Sequence, residues 1–285
     1  VSHRVGALAR ERVMHGVVAP ATLPPAPGVP RVGEAPPEVA AVKRTLRQMR
    51  DEALVRTALR ELDAAVDVDG TAREWSHVAA MTTEHALAAA AAMVEARNGP
   101  PLDARGARCG LTVLGMGKLG GEELNLGSDI DICLFYATDD GAAGTRTLNQ
   151  HFGRVGTTLA DLLGDVTADG FAFRVDLRLR PEGSRGPLAN ALASAERYYE
   201  TWGRTWERAA LLRARPIAGD LALGRSLLDA LRPFVFRRAV DPTVAGELVA
   251  MLERARREQL RDPERDLKLG RGGIREVEFF VQALQ

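Results

Sequence analysis

Gly115–Tyr136 reads GMGKLGGEELNLGSDIDICLFY, and the fold turns on how this stretch is read. An apolar run, CGLTVL from Cys109, leads into it, and Gly115 to Gly120 meets the G-x-G-x-x-G spacing of dinucleotide loops. That reading fails on two counts. A dinucleotide unit needs a full helix between its glycine turn and its second strand, with its acidic residue at that strand's far end. Here only Gly121 to Ser128 intervene, too few to cross back over a parallel sheet, and Asp129 and Asp131 stand at the strand's start. Asp139, at its end, reads as a turn residue.

Strand alternation places Asp129 and Asp131 on one face and Ile130 with Ile132 on the other. Adjacent carboxylates repel, so holding both ionised calls for a hard, oxygen-liking cation such as Mg²⁺ or Mn²⁺. Backbone N–H groups of the glycine turn, around Gly117, suit a phosphate, and Lys118 adds a point charge. A third carboxylate comes from Phe171 to Leu179, FAFRVDLRL, which alternates strictly. Phe173, Val175, Leu177 and Leu179 fall on one side, and Arg174, Asp176, Arg178 and Arg180 on the other. Paired beside DIDICLFY, this strand adds Asp176 to a metal cluster rimmed by arginine, an arrangement suited to phosphate.

The remaining composition narrows the class. Thirty-eight basic and 38 acidic residues cancel, which gives no overall field for nucleic acid or an anionic membrane, and 46% apolar residues supply a core. Two cysteines, Cys109 and Cys133, read as buried hydrophobes in a reducing cytoplasm. No apolar run reaches membrane-spanning length, and no signal-peptide pattern opens the chain. His77 and His85 lack the one-turn spacing of a helical zinc pair, and Ser128 lacks a nucleophile-elbow setting.

Residues 1–37 read as a tail or linker, with seven prolines between positions 19 and 37. An N-terminal helical layer follows over 38–101. Val42, Leu46, Met49, Ala53, Leu59 and Leu62 make an apolar stripe with Lys43, Arg44, Arg47 and Arg50 between, and a Thr71–Glu74 capping box opens a second helix. The core spans 108–220. It includes an aromatic helix from Ser194 to about Ala214, in which Tyr198, Tyr199, Trp202 and Trp206 read as core. Residues 221–285 form a C-terminal helical part: a tract from Ser226 to Arg261 broken near Pro233 and Pro242, a glycine turn, and a last helix without a stop signal, so the chain reads as a fragment.

Gly115 to Gly121 with Glu123-Leu-Asn125 and Ser128-Asp-Ile-Asp131 closely resembles the bifunctional glutamine synthetase adenylyltransferase/adenylyl-removing enzymes. RVDLRLRPEGSRGPL (174–188), YYETWGRTWERAALLRARPIAGD (198–220) and KLGRGGIREVEFFVQ (268–282) extend the likeness in the family's order. RPFVFRR (232–238) and GGIREVEFFVQ are similar to the amino-terminal, AMP-removing half. Gly127 and Glu182 depart from the family's usual residues.

The resemblance implies an α+β nucleotidyltransferase fold of the DNA polymerase beta type, a short mixed sheet flanked by N- and C-terminal helices. It implies phosphorolysis, in which phosphate attacks the AMP on a modified tyrosine of glutamine synthetase and ADP leaves. Asp129, Asp131 and Asp176 then serve as catalytic metal ligands. Gly117, Lys118, Ser128, Arg178, Arg180, Lys268, Gly272, Gly273 and Glu278 fall to nucleotide or phosphate, with Glu276 near the nucleotide. Glutamine synthetase, a PII signalling protein, phosphate and adenine nucleotide are the implied partners. Two alternatives share these residues: AMP attachment from ATP, and a non-catalytic docking module.

Overall fold

The computed structural model of the chain describes residues 38–236, 243–259, 262 and 265–284. Residues 1–37 and the expected break at Pro242 lie outside them. In chain order the first half comprises α1 (Val39–Leu62), α2 (Val68–Asn98), β1 (Leu102–Asp103), β2 (Leu111–Gly115), α3 (Gly117–Gly120), β3 (Ile130–Tyr136), β4 (Gly141–Ala143), β5 (Arg146–Thr147) and α4 (Leu148–Gly164). The second comprises β6 (Val175–Asp176), β7 (Ala189–Ala191), α5 (Leu192–Thr201), α6 (Thr205–Leu211), β8 (Arg215–Gly219), α7 (Leu221–Val235), α8 (Thr243–Gln259) and α9 (Ile274–Leu284).

The central sheet is mixed, as an α+β chain of this pattern requires. β2 lies antiparallel between β8 and β3. The other edge of β3 is shared, with β6 parallel to its start and β7 parallel to its end. Alternation along β3 sorts the two cores. Ile130, Ile132, Leu134 and Tyr136 pack with α1, α2 and α4, whereas Cys133 and Phe135 pack with α5, α6 and α7. Asp131 shares the second face but stands at the strand's open end. Both cysteines are buried and unpaired.

Helix α2 approaches the sheet closely because its inner face is alanine: Ala79, Ala86 and Ala90 are fully buried. Asp67 caps it, accepting from the Gly70 N–H at 2.7 Å. The Thr71–Glu74 pair therefore does not open the helix. Thr71 is buried one turn inside, and Glu74 accepts from the Thr57 hydroxyl at 3.1 Å. No described helix is long and apolar enough to cross a membrane.

Other local expectations change where tertiary contacts intervene. The 171–179 strand shrinks to Val175–Asp176, because Arg178 and Leu179 enter a turn; Phe173, Val175 and Leu177 pack on the first core and Leu179 on the second. The aromatic helix breaks after Trp202, which is 72% exposed, while Tyr199 is buried. Leu62, in the last turn of α1, is exposed. Helix α7 begins at Leu221, capped by Asp220, ahead of the expected Ser226, and keeps Pro233 inside.

His151 of α4 is fully buried, edge-on to Phe152, and neither ring nitrogen has a partner among the described residues. Burial pulls its pKa down to about 4 from 6.5. The folded state thus binds fewer protons than the unfolded chain, so stability present above pH 6.5 is lost as pH falls toward 4. The expected loss is about 2–3 kcal/mol. Urea titrations of wild type and His151→Leu at pH 7 and pH 4.5 check this: the variant should lose clearly less stability between them.

Candidate active site

The glycine turn is placed by close backbone approach. The Met116 N–H donates to the Asp131 carbonyl at 2.9 Å, and Gly117 takes a positive φ of 53°. A Cβ at Gly117 would sit 3.0 Å from Asp131 Oδ2. At Gly120 it would sit 1.8 Å from the Arg213 carbonyl oxygen. The Arg215 guanidinium then donates to the carbonyls of Leu119 and Gly120, each at 3.3 Å, and closes the single turn of α3. Lys118 projects into solvent, and Ser128 lies in the following turn, its N–H donating to the Asn125 carbonyl at 3.1 Å.

Gly120→Ala is accordingly expected to destabilise the chain by about 1–3 kcal/mol or more, because backbone must move to admit the methyl. Gly153 in α4 has nothing within 4 Å of an added Cβ, so Gly153→Ala should stabilise by about 0.4–1 kcal/mol. Thermal melting of the two variants side by side provides the test.

The carboxylates meet through strand register. β3 and β6 run parallel with Asp131 directly beside Asp176. Asp129, one residue before β3, turns its carboxylate to Arg174 Nε at 2.5 Å. The same guanidinium donates to the Gly127 carbonyl at 3.0 Å and lies over the Phe171 ring. Asp176 accepts from the Arg178 backbone N–H at 2.8 Å and from its Nε at 2.9 Å. Arg178 holds the Asp176 carboxyl below its ordinary range.

Asp131 is different. It has no hydrogen-bond donor of its own among the described residues, and burial with the charges of Asp176 and Asp129 pushes its carboxyl up to about 6. Arg178 and Lys268 oppose that shift only in part. Among the described residues, no three acidic, histidine or cysteine side chains stand gathered around one point, so the expected three-carboxylate cluster is not assembled; Asp129 and Asp176 are each paired with an arginine. The donor chemistry still fits a hard divalent cation: oxygen ligands only, on adjoining strands, with an uncompensated negative charge between them.

Arg180 does not join the rim. It is 8% exposed, and its guanidinium donates to the carbonyls of Leu177, Gly186 and Ser184, shaping the loop that carries the chain from β6 to β7. The C-terminal turn does come close. Lys268 lies near enough to bear on Asp131, and Gly272, Gly273 and Glu278 line an open cleft of about 610 Å³ with Arg213. Arg213 pairs with Glu123 at 2.9 Å and Glu278 at 3.7 Å, tying the glycine loop to α9. Glu276 instead braces the turn, accepting from Arg256 and from the Gly272 N–H.

Sequence reading missed Arg213 and Arg215. Their only local signal is the R-x-R spacing that leads into β8; their partners lie some ninety residues upstream in the glycine loop.

Comparison with known proteins follows the same residues. Positions 22–230 match the family described as glutamate-ammonia ligase adenylyltransferase. The chain belongs to this family. Residues 247–285 also match the GlnD PII-uridylyltransferase family. Among curated relatives, each named bifunctional glutamine synthetase adenylyltransferase/adenylyl-removing enzyme, that of Thioalkalivibrio sulfidiphilus is 46% identical over 90% of the chain. Those of Burkholderia pseudomallei and Xanthomonas campestris are each 41% identical, over 89% and 99%. The chain spans 27%, 29% and 30% of these relatives' lengths.

Proposed function

We propose that this chain is the AMP-removing nucleotidyltransferase unit of a glutamine synthetase modifying enzyme. The reaction is phosphorolysis: an oxygen of inorganic phosphate bonds to the AMP phosphorus, the bond from that phosphorus to the tyrosine oxygen breaks, and ADP and the free tyrosine side chain leave. The observation that carries this reading is Asp131, half-buried beside Asp176 and without a donor among the described residues.

Asp131 and Asp176, with Asp129 at their edge, are the residues to hold Mg²⁺ or Mn²⁺. A divalent cation there supplies charge neutralisation of the phosphoryl oxygens and of the departing phenolate. The chain's own groups do the positioning. Gly117 brings the turn's backbone close to Asp131, where a Cβ would sit 3.0 Å from Oδ2, and in this reading the exposed Lys118 and Arg178, with half-buried Ser128, serve the phosphate. Gly272, Gly273 and Glu278 flank the cleft assigned to the nucleotide, and Lys268, on the same turn, is assigned to it through its charge on Asp131. Arg180 serves this reading indirectly, through the loop it holds.

Glutamine synthetase is the protein substrate in this proposal, and the relatives' names support it. A PII signalling protein is the proposed regulator, supported by the second family match. The removing direction rests on the likeness of 232–238 and 272–282 to the removing half. Incubating AMP-modified glutamine synthetase with the chain, phosphate and Mg²⁺ should release ADP. AMP transfer from ATP without any ADP-forming reaction would reverse the direction.

A further inference from the structure

The two arginines on the acidic cluster are held very differently. Arg174 is anchored at three points: the Asp129 carboxylate, the Gly127 carbonyl and the face of Phe171, 5.3 Å from the ring centroid. Among the described residues Arg178 makes side-chain hydrogen bonds only to Asp176, and its side chain is 78% exposed. The pair is open to water on its arginine side alone, Asp176 being 18% exposed, so the Arg178 guanidinium can leave without breaking any other described side-chain bond. Asp131, the strand neighbour of Asp176, meanwhile has no donor among the described residues.

We propose that Arg178 is a movable countercharge: it neutralises Asp176 until a divalent cation binds at Asp131 and Asp176, then turns its freed guanidinium to the phosphate group. This rests on the cation-site reading above and adds a regulation to it. While Arg178 holds Asp176, its donors are spent and phosphate gains little from them. Once released, the fork suits two phosphate oxygens. Cation and phosphate therefore favour each other by equal factors, as linkage requires, and part of that coupling resides in one side chain rather than in cation–anion contact.

The test is Mn²⁺ binding followed by electron paramagnetic resonance of the free ion, using the full chain with and without inorganic phosphate. In wild type, phosphate should tighten Mn²⁺ binding. In Arg178→Gln, Mn²⁺ alone should bind about threefold tighter because a competing cation is gone. The tightening by phosphate should shrink by about fivefold. Arg174→Gln, which removes the anchored arginine, should leave the tightening by phosphate intact.

A variant Arg178→Gln that keeps the full phosphate effect would make Arg178 a fixed rim charge and overturn the proposal. Equal loss of the effect in Arg174→Gln would overturn it too, by assigning the coupling to net charge. If wild type binds no Mn²⁺ with or without phosphate, the cation site itself fails and this inference falls with it. Unchanged Mn²⁺ coupling in Arg178→Gln defeats the movable arginine alone.

Discussion

Asp131→Asn is expected to reduce AMP removal by about 10³-fold or more while leaving the chain more stable than wild type at neutral pH. The two halves share a cause. Asp131 is half-buried, lacks a donor among the described residues, and faces the charges of Asp176 and Asp129, so its ionised form is disfavoured in the folded state. With a folded pKa of about 6 against 3.8 for the unfolded chain, the folded state binds more protons between those values. Stability therefore falls as pH rises through that window, and the penalty is complete above pH 6. Allowing for partial solvent screening, it amounts to about 1–2 kcal/mol.

An asparagine removes the charge and offers its amide to Asp176, so the variant should melt about 2–6 °C higher at pH 7.5. The difference should vanish near pH 4. Comparing variant with wild type at each pH cancels His151, whose contribution runs in the opposite direction. Melting curves from pH 4 to 8, together with ADP release from modified glutamine synthetase, check both halves. A variant that melts lower than wild type at pH 7.5 would mean that Asp131 is satisfied in the fold rather than held for a ligand.

Strand period made much of this site legible. Hydrophobic alternation on either side of the D-x-D gives the two faces of β3, and the shortness of 121–128 excludes a parallel crossover, leaving the antiparallel β2–β3 pair. Asp176 was also readable, because Val175 and its neighbours carry the same period. What period could not show is where the strand stops. Alternation from Phe171 to Leu179 continues past the last paired residue because Leu179 finds the second core after the turn, so Arg180 looks like a rim residue although its donors go to loop carbonyls. Nor does spacing distinguish Arg174 from Arg178; the Phe171 ring and the Gly127 carbonyl that anchor the first are tertiary neighbours.

Arg47 shows the same limit in the helices and carries the largest stability effect expected here. In sequence it belongs to the polar side of an amphipathic helix, between Leu46 and Met49. In the fold it is 1% exposed. Its Nε donates to the Gly170 carbonyl at 2.9 Å and its Nη1 to the carbonyls of Lys43 and Leu162 at 2.8 and 3.0 Å, while Nη2 reaches the Asp165 carbonyl. Leu162 and Asp165 stand at the C-terminal end of α4, where carbonyls lack helical partners and a cation is favoured. Burial lowers the Arg47 pKa, against the pull of Asp165, Asp169 and Asp51.

Arg47→Met retains the length and the apolar stem but strips the Leu162 and Asp165 carbonyls at the end of α4 of the guanidinium, while the Gly170 carbonyl keeps the Thr167 N–H and hydroxyl; the expected cost is about 2–4 kcal/mol. Arg47→Lys keeps the charge with a single nitrogen, which cannot span carbonyls from α1, α4 and the 165–170 loop, so an intermediate loss is expected. Urea unfolding should show the midpoint falling in that order with an unchanged slope. A methionine variant within about 1 kcal/mol of wild type would show that the guanidinium is dispensable. The consequence reaches the site, since Leu163 at the end of α4 accepts from the N–H groups of Ala172 and Phe173 just before β6. Loosening this junction should lower turnover by freeing Asp176 from its register beside Asp131, and a moderate phosphate concentration that stabilises the bound form should partly restore it.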